Sequence, residues 1–206
     1  YADCYIMQRL IDDMVDLEVE SIDRIIKKFI DDPEEKDIKD IELRTWIKIR
    51  EKCVNGRRTG SGITGLGDCL AALNMVYGGS NSITQTSKMY QVLKLGCYRS
   101  SIDMAKEVGA FPIWNRECEI NNPFLNRLKD DIVSKSCDDT FEQGFLENLF
   151  WCGQESYDDM QKYGRRNIAL LTTAPAGTVS TLTQTTSGIE PAFMLEYTRR
   201  KKITHD

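Results

Sequence analysis

The run Asn167-Ile-Ala-Leu-Leu-Thr-Thr173 constrains this chain more than any other stretch. It is short, apolar and flanked by breakers, and it leads directly into Ala174-Pro175-Ala176-Gly177-Thr178. Such a run reads as a strand buried on both faces, the pattern of a parallel sheet. A helix is expected to start after Thr178, and Phe193 to Thr198 reads as a second strand.

Most of the remaining chain has helical periodicity. From Tyr5 to Ile30, apolar residues fall at Ile6, Leu10, Met14 and Leu17, then Ile22, Ile25, Ile26 and Phe29, with Asp12, Asp13, Asp16, Glu18 and Asp23 filling most of the rest. Those three- and four-residue steps form one stripe, which Asp31-Asp32-Pro33 should end. Ile41 to Cys53 reads as a second helix, broken at Asn55-Gly56, and Cys69 to Met75 as a short third. Beyond Gly78-Gly79 a longer helix is expected, with Met89, Leu93, Gly96, Cys97, Ser100, Met104 and Val108 on one face and Gly109 at its end. Phe111-Pro112-Ile113-Trp114 reads as an extended connection, and residues 115–139 as loop with short turns. Thr140 and Gln143 fit a capping box opening a helix through Cys152, and a further short helix should stop at Gly164. Long helices alternating with a few short buried strands predict an α/β fold.

Composition removes several classes of function. Lys+Arg 27 against Asp+Glu 32 gives a net charge of −5, so there is no generic attraction to nucleic acid or to an anionic membrane. No run approaches the roughly 18 apolar residues of a membrane span, and the first residues lack the pattern of a secretory signal. A cytoplasmic protein is expected. Seven cysteines (Cys4, Cys53, Cys69, Cys97, Cys118, Cys137, Cys152) are too widely spaced for a structural zinc site, and His205 is the only histidine. They read as free thiols in a reducing compartment, and no metal site is expected.

Four features could carry chemistry. The strand-loop-helix at 167–184 is the most mechanistic, because helix N-termini leave amides unpaired and attract anions. Gly177 would let a phosphate approach the backbone, and Thr178 and Ser180 would add hydroxyl donors. The plainer reading is a turn with a Thr cap; no Lys follows the glycine, so a Walker-type loop is excluded. Gly60-Ser-Gly62-Ile-Thr-Gly65 matches the dinucleotide fingerprint, but neither a buried strand before it nor an acidic strand end after it is present. It is better read as a strand whose glycines permit tight packing or close approach to a ligand. Asp12-Asp13-Met-Val-Asp16 has the spacing of a magnesium-binding acidic motif, but it is better read as the solvated face of an amphipathic helix, since the strands expected at 167–173 and 193–198 speak against an all-helical fold of that kind. The pairs Arg57/Arg58, Arg165/Arg166 and Arg199/Arg200 could hold carboxylates of neighbouring segments or phosphate oxygens, with structural ion pairing the default. Glu190 is read as a buried partner for one of them.

Several runs together resemble the large subunit of ribonucleotide reductase. They are Gly56-Arg-Arg-Thr-Gly-Ser-Gly-Ile-Thr-Gly-Leu-Gly-Asp68, Glu107-Val-Gly-Ala-Phe-Pro112, Arg165-Arg-Asn-Ile-Ala-Leu-Leu-Thr-Thr-Ala-Pro-Ala-Gly-Thr-Val-Ser180, Thr183-Gln-Thr-Thr-Ser-Gly-Ile-Glu-Pro191, and Phe193 through Lys201. They stand in the family's order and spacing over nearly the whole chain. The form of residues 183–191, followed by Tyr197-Thr-Arg-Arg-Lys201, looks like the adenosylcobalamin-dependent class, with a class I large subunit as the alternative.

The resemblance implies a ten-stranded α/β barrel, of which residues 1–206 would be one helix-rich segment from the C-terminal part. It implies that Ala174, Pro175, Ala176, Gly177, Thr178, Val179 and Ser180 bind the substrate's phosphates. Ala176 departs from the family's usual Thr, and Ser61 from a commoner Leu. The implied reaction replaces the ribose 2′-hydroxyl with hydrogen through a cysteine thiyl radical that abstracts the 3′-hydrogen. The family's Asn-x-Cys-x-Glu finger loop does not occur here, so no catalytic role is assigned to any of the seven cysteines. The implied partners are a ribonucleotide, the remainder of the reductase chain or a split partner, and a thioredoxin-like reductant. The implied cofactor is adenosylcobalamin. The reading from another class is a non-enzymatic α/β module that binds anions.

Overall fold

The computed structural model describes residues 1–120, 122–123, 155–194, 196, 198 and 200. It divides into two compact units: residues 1–61 with 89–172, and residues 62–88 with 173–206. The helices are α1 (Ala2–Asp31), α2 (Lys36–Gly56), α3 (Leu66–Ala72), α4 (Ser80–Val108), α5 (Arg116–Ile120), α6 (155–163) and α7 (Gly177–Thr183).

In the first unit α1 packs against α2. The chain turns extended at Asp32, before Pro33, and Lys39 covers freed carbonyls by donating from Nζ to the oxygens of Ile30 and Asp32. Between Leu93 and Ala105, α4 is buried almost all round, including Leu95, Cys97, Ser100, Ser101, Ile102 and Met104, whereas its last turn, Lys106 to Val108, is exposed. Gly109, in the left-handed region at φ +91°, ends α4 as expected, and Gly164 (φ +76°) follows α6.

The orientation of α1 overturns the first half of the stripe read from its sequence, while the second half, Ile22, Ile25, Ile26 and Phe29, is buried or half-buried as expected. Ile6, Leu10, Met14 and Leu17 are each about 60% exposed, whereas Gln8, Asp12, Val15 and Ile22 face inward. The reason is that partners await the polar groups. Arg57 Nε and Nη2 fork onto the Asp12 carboxylate, both at 2.9 Å, and Nη1 reaches Asp16 at 2.6 Å. Asn167 Nδ2 donates to Asp12 Oδ1 (2.7 Å) and to the Arg57 carbonyl (3.0 Å). Gln8 Nε2 donates to Thr59 Oγ1 and Asn167 Oδ1, while its Oε1 accepts from Ser61 Oγ. Ser101 Oγ completes the cluster on Asn167 Oδ1. Buried polar groups satisfied to this degree are tolerated where isolated ones are not.

The expected α/β class and partial ten-stranded barrel are not found: the described residues contain helices and no strand. The run at 167–173 is extended, but it makes one isolated parallel bridge, Ser61 to Leu171. Thr59 N, Ser61 N and Thr172 N bond across to Ala169 O, Leu170 O and Ser61 O. A buried apolar run does not by itself distinguish a sheet neighbour from a helical one. Here Asn167 is held by side chains of α1 and α4, and the pairing stops at a single neighbour. Of the second expected strand, Phe193, Met194, Glu196 and Thr198 lie in no strand. The helix expected from Thr140 to Cys152 lies outside the described residues. No helix among the described residues is long and apolar enough to cross a membrane.

Arg57 holds this unit together at a backbone cost. It follows α2 with φ +43°, a region that disfavours side chains by about 1–2 kcal/mol. Arg57→Ala removes the partner of a buried carboxylate and should destabilise the chain by roughly 3–5 kcal/mol in urea unfolding. Arg50→Ala, which breaks an exposed pair with Asp23, should leave the midpoint unchanged.

Candidate functional site

The second unit contains residues 174–180, the loop expected from sequence to bind phosphate. Its framework is residues 184–191, stitched to the start of α3. Thr64 Oγ1 donates to Thr186 O (3.1 Å) and accepts from Gly188 N (3.2 Å). Asp68 Oδ2 accepts from Thr186 N at 2.7 Å. Gly65 N and Leu66 N bond to the carbonyls of Thr186 and Gly188, and Tyr77 OH bonds to Ile189 O at 2.8 Å. The approach is close enough to exclude side chains. A Cβ at Gly67 would lie 2.6 Å from Pro191 Cα and 2.8 Å from the Glu190 carbonyl.

The loop hangs from the same framework. Ala176 N donates to Ser187 Oγ at 3.2 Å, and Thr185 N to Ser180 O at 3.0 Å. Ala174 O lies 3.2 Å from the position a Cβ would take at Gly188. α7 then starts at Gly177 with no side-chain cap, so the alternative of a Thr-capped turn does not describe it. Ser180 N is the first amide of the turn with a backbone acceptor, Ala176 O at 2.8 Å. The amides of Gly177, Thr178 and Val179 have no acceptor among the described residues. These three residues are exposed, and a Cβ at Gly177 would meet nothing within 4 Å.

Of the two hydroxyls expected to serve as donors, only Thr178 is available at the surface. Ser180 is buried, and its Oγ donates inward to Gly177 O at 2.9 Å. Nothing local in the sequence marks Thr64, Asp68 and Tyr77, whose partners lie more than a hundred positions away, and no sequence signal singled out Ser187 either.

The other candidate features resolve into structure. Asp12 is neither solvated nor free for a metal but buried against Arg57; Asp13 is exposed. No group of three or more metal-ligating side chains converges among the described residues. The Gly60–Gly65 run follows no strand, and Gly60 lies against Thr172, with 2.9 Å between a Cβ there and Thr172 Cγ2. Arg165 pairs with Glu119, and Arg166 contacts Asp12. Arg58 and Arg200 are exposed, and Arg199 lies outside the described residues. Glu190, expected to be buried, is exposed, with Oε2 beside Gly188. Cys4, Cys53, Cys69, Cys97 and Cys118 are free thiols, and Cys137, Cys152 and His205 lie outside the described residues.

Comparison with known proteins gives a family model, "Ribonucleotide reductase, barrel domain", that matches residues 8–205. A vitamin B12-dependent ribonucleoside-diphosphate reductase of Mycobacterium tuberculosis is 24% identical over 181 residues, covering 88% of this chain and 20% of that protein. A ribonucleoside-diphosphate reductase subunit alpha of Buchnera aphidicola is 26% identical over 155 residues, 75% of this chain and 19% of the relative. A ribonucleoside-diphosphate reductase large subunit of African swine fever virus is 28% identical over 166 residues, 73% of this chain and 20% of the relative. The chain thus spans about a fifth of the length of the curated relatives it matches.

The framework makes a direct prediction. Gly67→Ala forces the backbone at Pro191 away and should cost roughly 1–3 kcal/mol locally. Amide exchange at Gly65 and Leu66, measured by hydrogen–deuterium exchange, should then speed up at least about tenfold, whereas Gly177→Ala should leave it unchanged.

Proposed function

The chain belongs to the ribonucleotide reductase barrel-domain family, and on that premise we propose that it forms part of a reductase converting ribonucleotides to deoxyribonucleotides, with residues 174–180 gripping the substrate's phosphates. The observation that carries the loop assignment is the set of three unbonded amides at the start of α7, with open space above Gly177. Each phosphate oxygen can accept from such donors, and the positive end of the helix adds a modest attraction. Thr178 supplies one exposed hydroxyl. Ser180 contributes by shaping the turn, because its own proton is already used within it.

Holding the phosphates fixes where the ribose lies, so binding energy spent on the non-reacting end of the nucleotide orients the end that reacts. The loop can do this only if it stays put. Ser187 supports that by accepting from Ala176 N, and the Asp68 and Thr64 bonds to residues 186 and 188 anchor the segment carrying Ser187. No described residue is assigned a radical or reducing part in turnover.

The adenosylcobalamin-dependent kind of reductase is the reading favoured by the name of the mycobacterial relative and by the form of residues 183–191. In that kind the bound cofactor supplies the initial radical. The described residues do not fit a site for it: none is a histidine, and no set of metal-ligating side chains converges. None is assigned to hold it. The reductase should require adenosylcobalamin for turnover, and activity without it would remove this part of the proposal.

Gly177→Asp is the test of the loop, since the new side chain enters open space and leaves the fold intact. In the complete reductase it should raise substrate KM at least about tenfold, a loss of about 1.4 kcal/mol of binding. Gly177→Ala should bind substrate as the parent does. Unchanged affinity in Gly177→Asp would refute the loop's role.

A further inference from the structure

α1 and α4 approach closely at Gly96. A Cβ there would lie 2.7 Å from Cys4 Cβ and 2.9 Å from Tyr1 O, an approach only glycine allows. Given bond lengths of about 1.5 Å, the Cα atoms of Cys4 and Gly96 are within about 6 Å of each other. Cys97, the next residue of α4, is fully buried and turns its sulfur toward α1, with Sγ 3.7 Å from Cys4 O. One turn on, Ser100 Oγ donates to Tyr5 O at 2.8 Å, which fixes the register of the two helices. Cys4 is only partly buried, and both cysteines are free thiols. The partly exposed Cys4 of α1 thus faces the residue just before the fully buried Cys97 of α4.

We propose that Cys4 and Cys97 form a thiol pair that closes to a disulfide when the chain meets a small-molecule disulfide such as oxidised glutathione. Thiol–disulfide exchange needs a thiolate, access to the incoming disulfide and a second thiol within reach. Cys4 supplies the access. Its thiolate attacks one glutathione sulfur, forming a mixed disulfide and releasing one reduced glutathione. The Cys97 thiolate then attacks the Cys4 sulfur and releases the second. Overall, two protein thiols and one oxidised glutathione give one protein disulfide and two reduced glutathiones. Cys97 acts second because it is buried and because burial pushes its thiol up to about 11. The reaction joins α1 to α4 inside the first unit and has no part in nucleotide reduction.

The test is to incubate the chain with excess oxidised glutathione, alkylate, digest without reductant and analyse the peptides by mass spectrometry. The expected product is a peptide linked through Cys4 and Cys97, lighter by two hydrogens than its separate halves, together with a raised Tm for the oxidised chain. Cys97→Ser, or Cys97→Ala if the serine variant fails to fold by circular dichroism, should stop at a glutathione adduct on Cys4 with no rise in Tm. If the parent chain instead carries glutathione on Cys4 while Cys97 remains free for alkylation after denaturation, the pair does not exist. Absence of oxidation at both positions would overturn it equally.

Discussion

The Asp12 carboxylate, buried in the first unit, sets the terms for much that surrounds it. A carboxylate removed from water must be met by charge and hydrogen bonds or it destabilises the fold. Here a guanidinium fork from Arg57 and an amide from Asn167 meet it, and Gln8, Thr59, Ser61 and Ser101 complete the network. Three otherwise separate facts then have one origin. α1 turns its polar face inward, Arg57 keeps a left-handed backbone directly after α2, and the extended run begins at a residue fixed by side chains of two helices. Arg57 also draws Asp16 below the ordinary carboxylate range through its hydrogen bond. A group shifted in that direction stabilises the fold above its unfolded value, about 3.9, and ceases to do so as pH falls through the lower folded value.

The second unit follows the same economy of polar groups on a smaller scale. Residues 184–191 have no helix or strand to satisfy their backbone, so Thr64, Asp68 and Tyr77 bond to it directly. Ser187 on that segment in turn accepts from Ala176, just before α7. Among the described residues the amides of Gly177, Thr178 and Val179 are left without acceptors, and the proposed phosphate site rests on that unmet capacity rather than on any charged side chain.

The sequence was legible where the controlling interactions were local. The helices near Tyr5–Ile30, Ile41–Cys53 and beyond Gly79 could be read from apolar spacing and breakers, and so could the stops at Gly109 and Gly164. A helix following the loop was legible for the same reason, although it begins at Gly177 rather than after Thr178. The inward face of α1 was not, because apolar spacing cannot register that Asp12 and Gln8 have partners at Arg57, Thr59 and Asn167. The run at 167–173 was read as a buried parallel strand, yet it makes a single bridge and its last residues, Thr172 and Thr173, are exposed, since an apolar run does not name the neighbour that covers it. Ser180 looked like a free donor because its bond to Gly177 O forms only once the turn closes. Membership of the family rested on several motifs in order, which no single spacing could have supplied.

The most direct measurement is a titration of the isotopically labelled chain with inorganic pyrophosphate, followed by amide NMR shifts. The account predicts saturable shifts centred on the amides of Gly177, Thr178 and Val179, abolished by Gly177→Asp. Shifts confined to exposed lysines and arginines elsewhere, or none at these three amides up to saturating ligand, would contradict it.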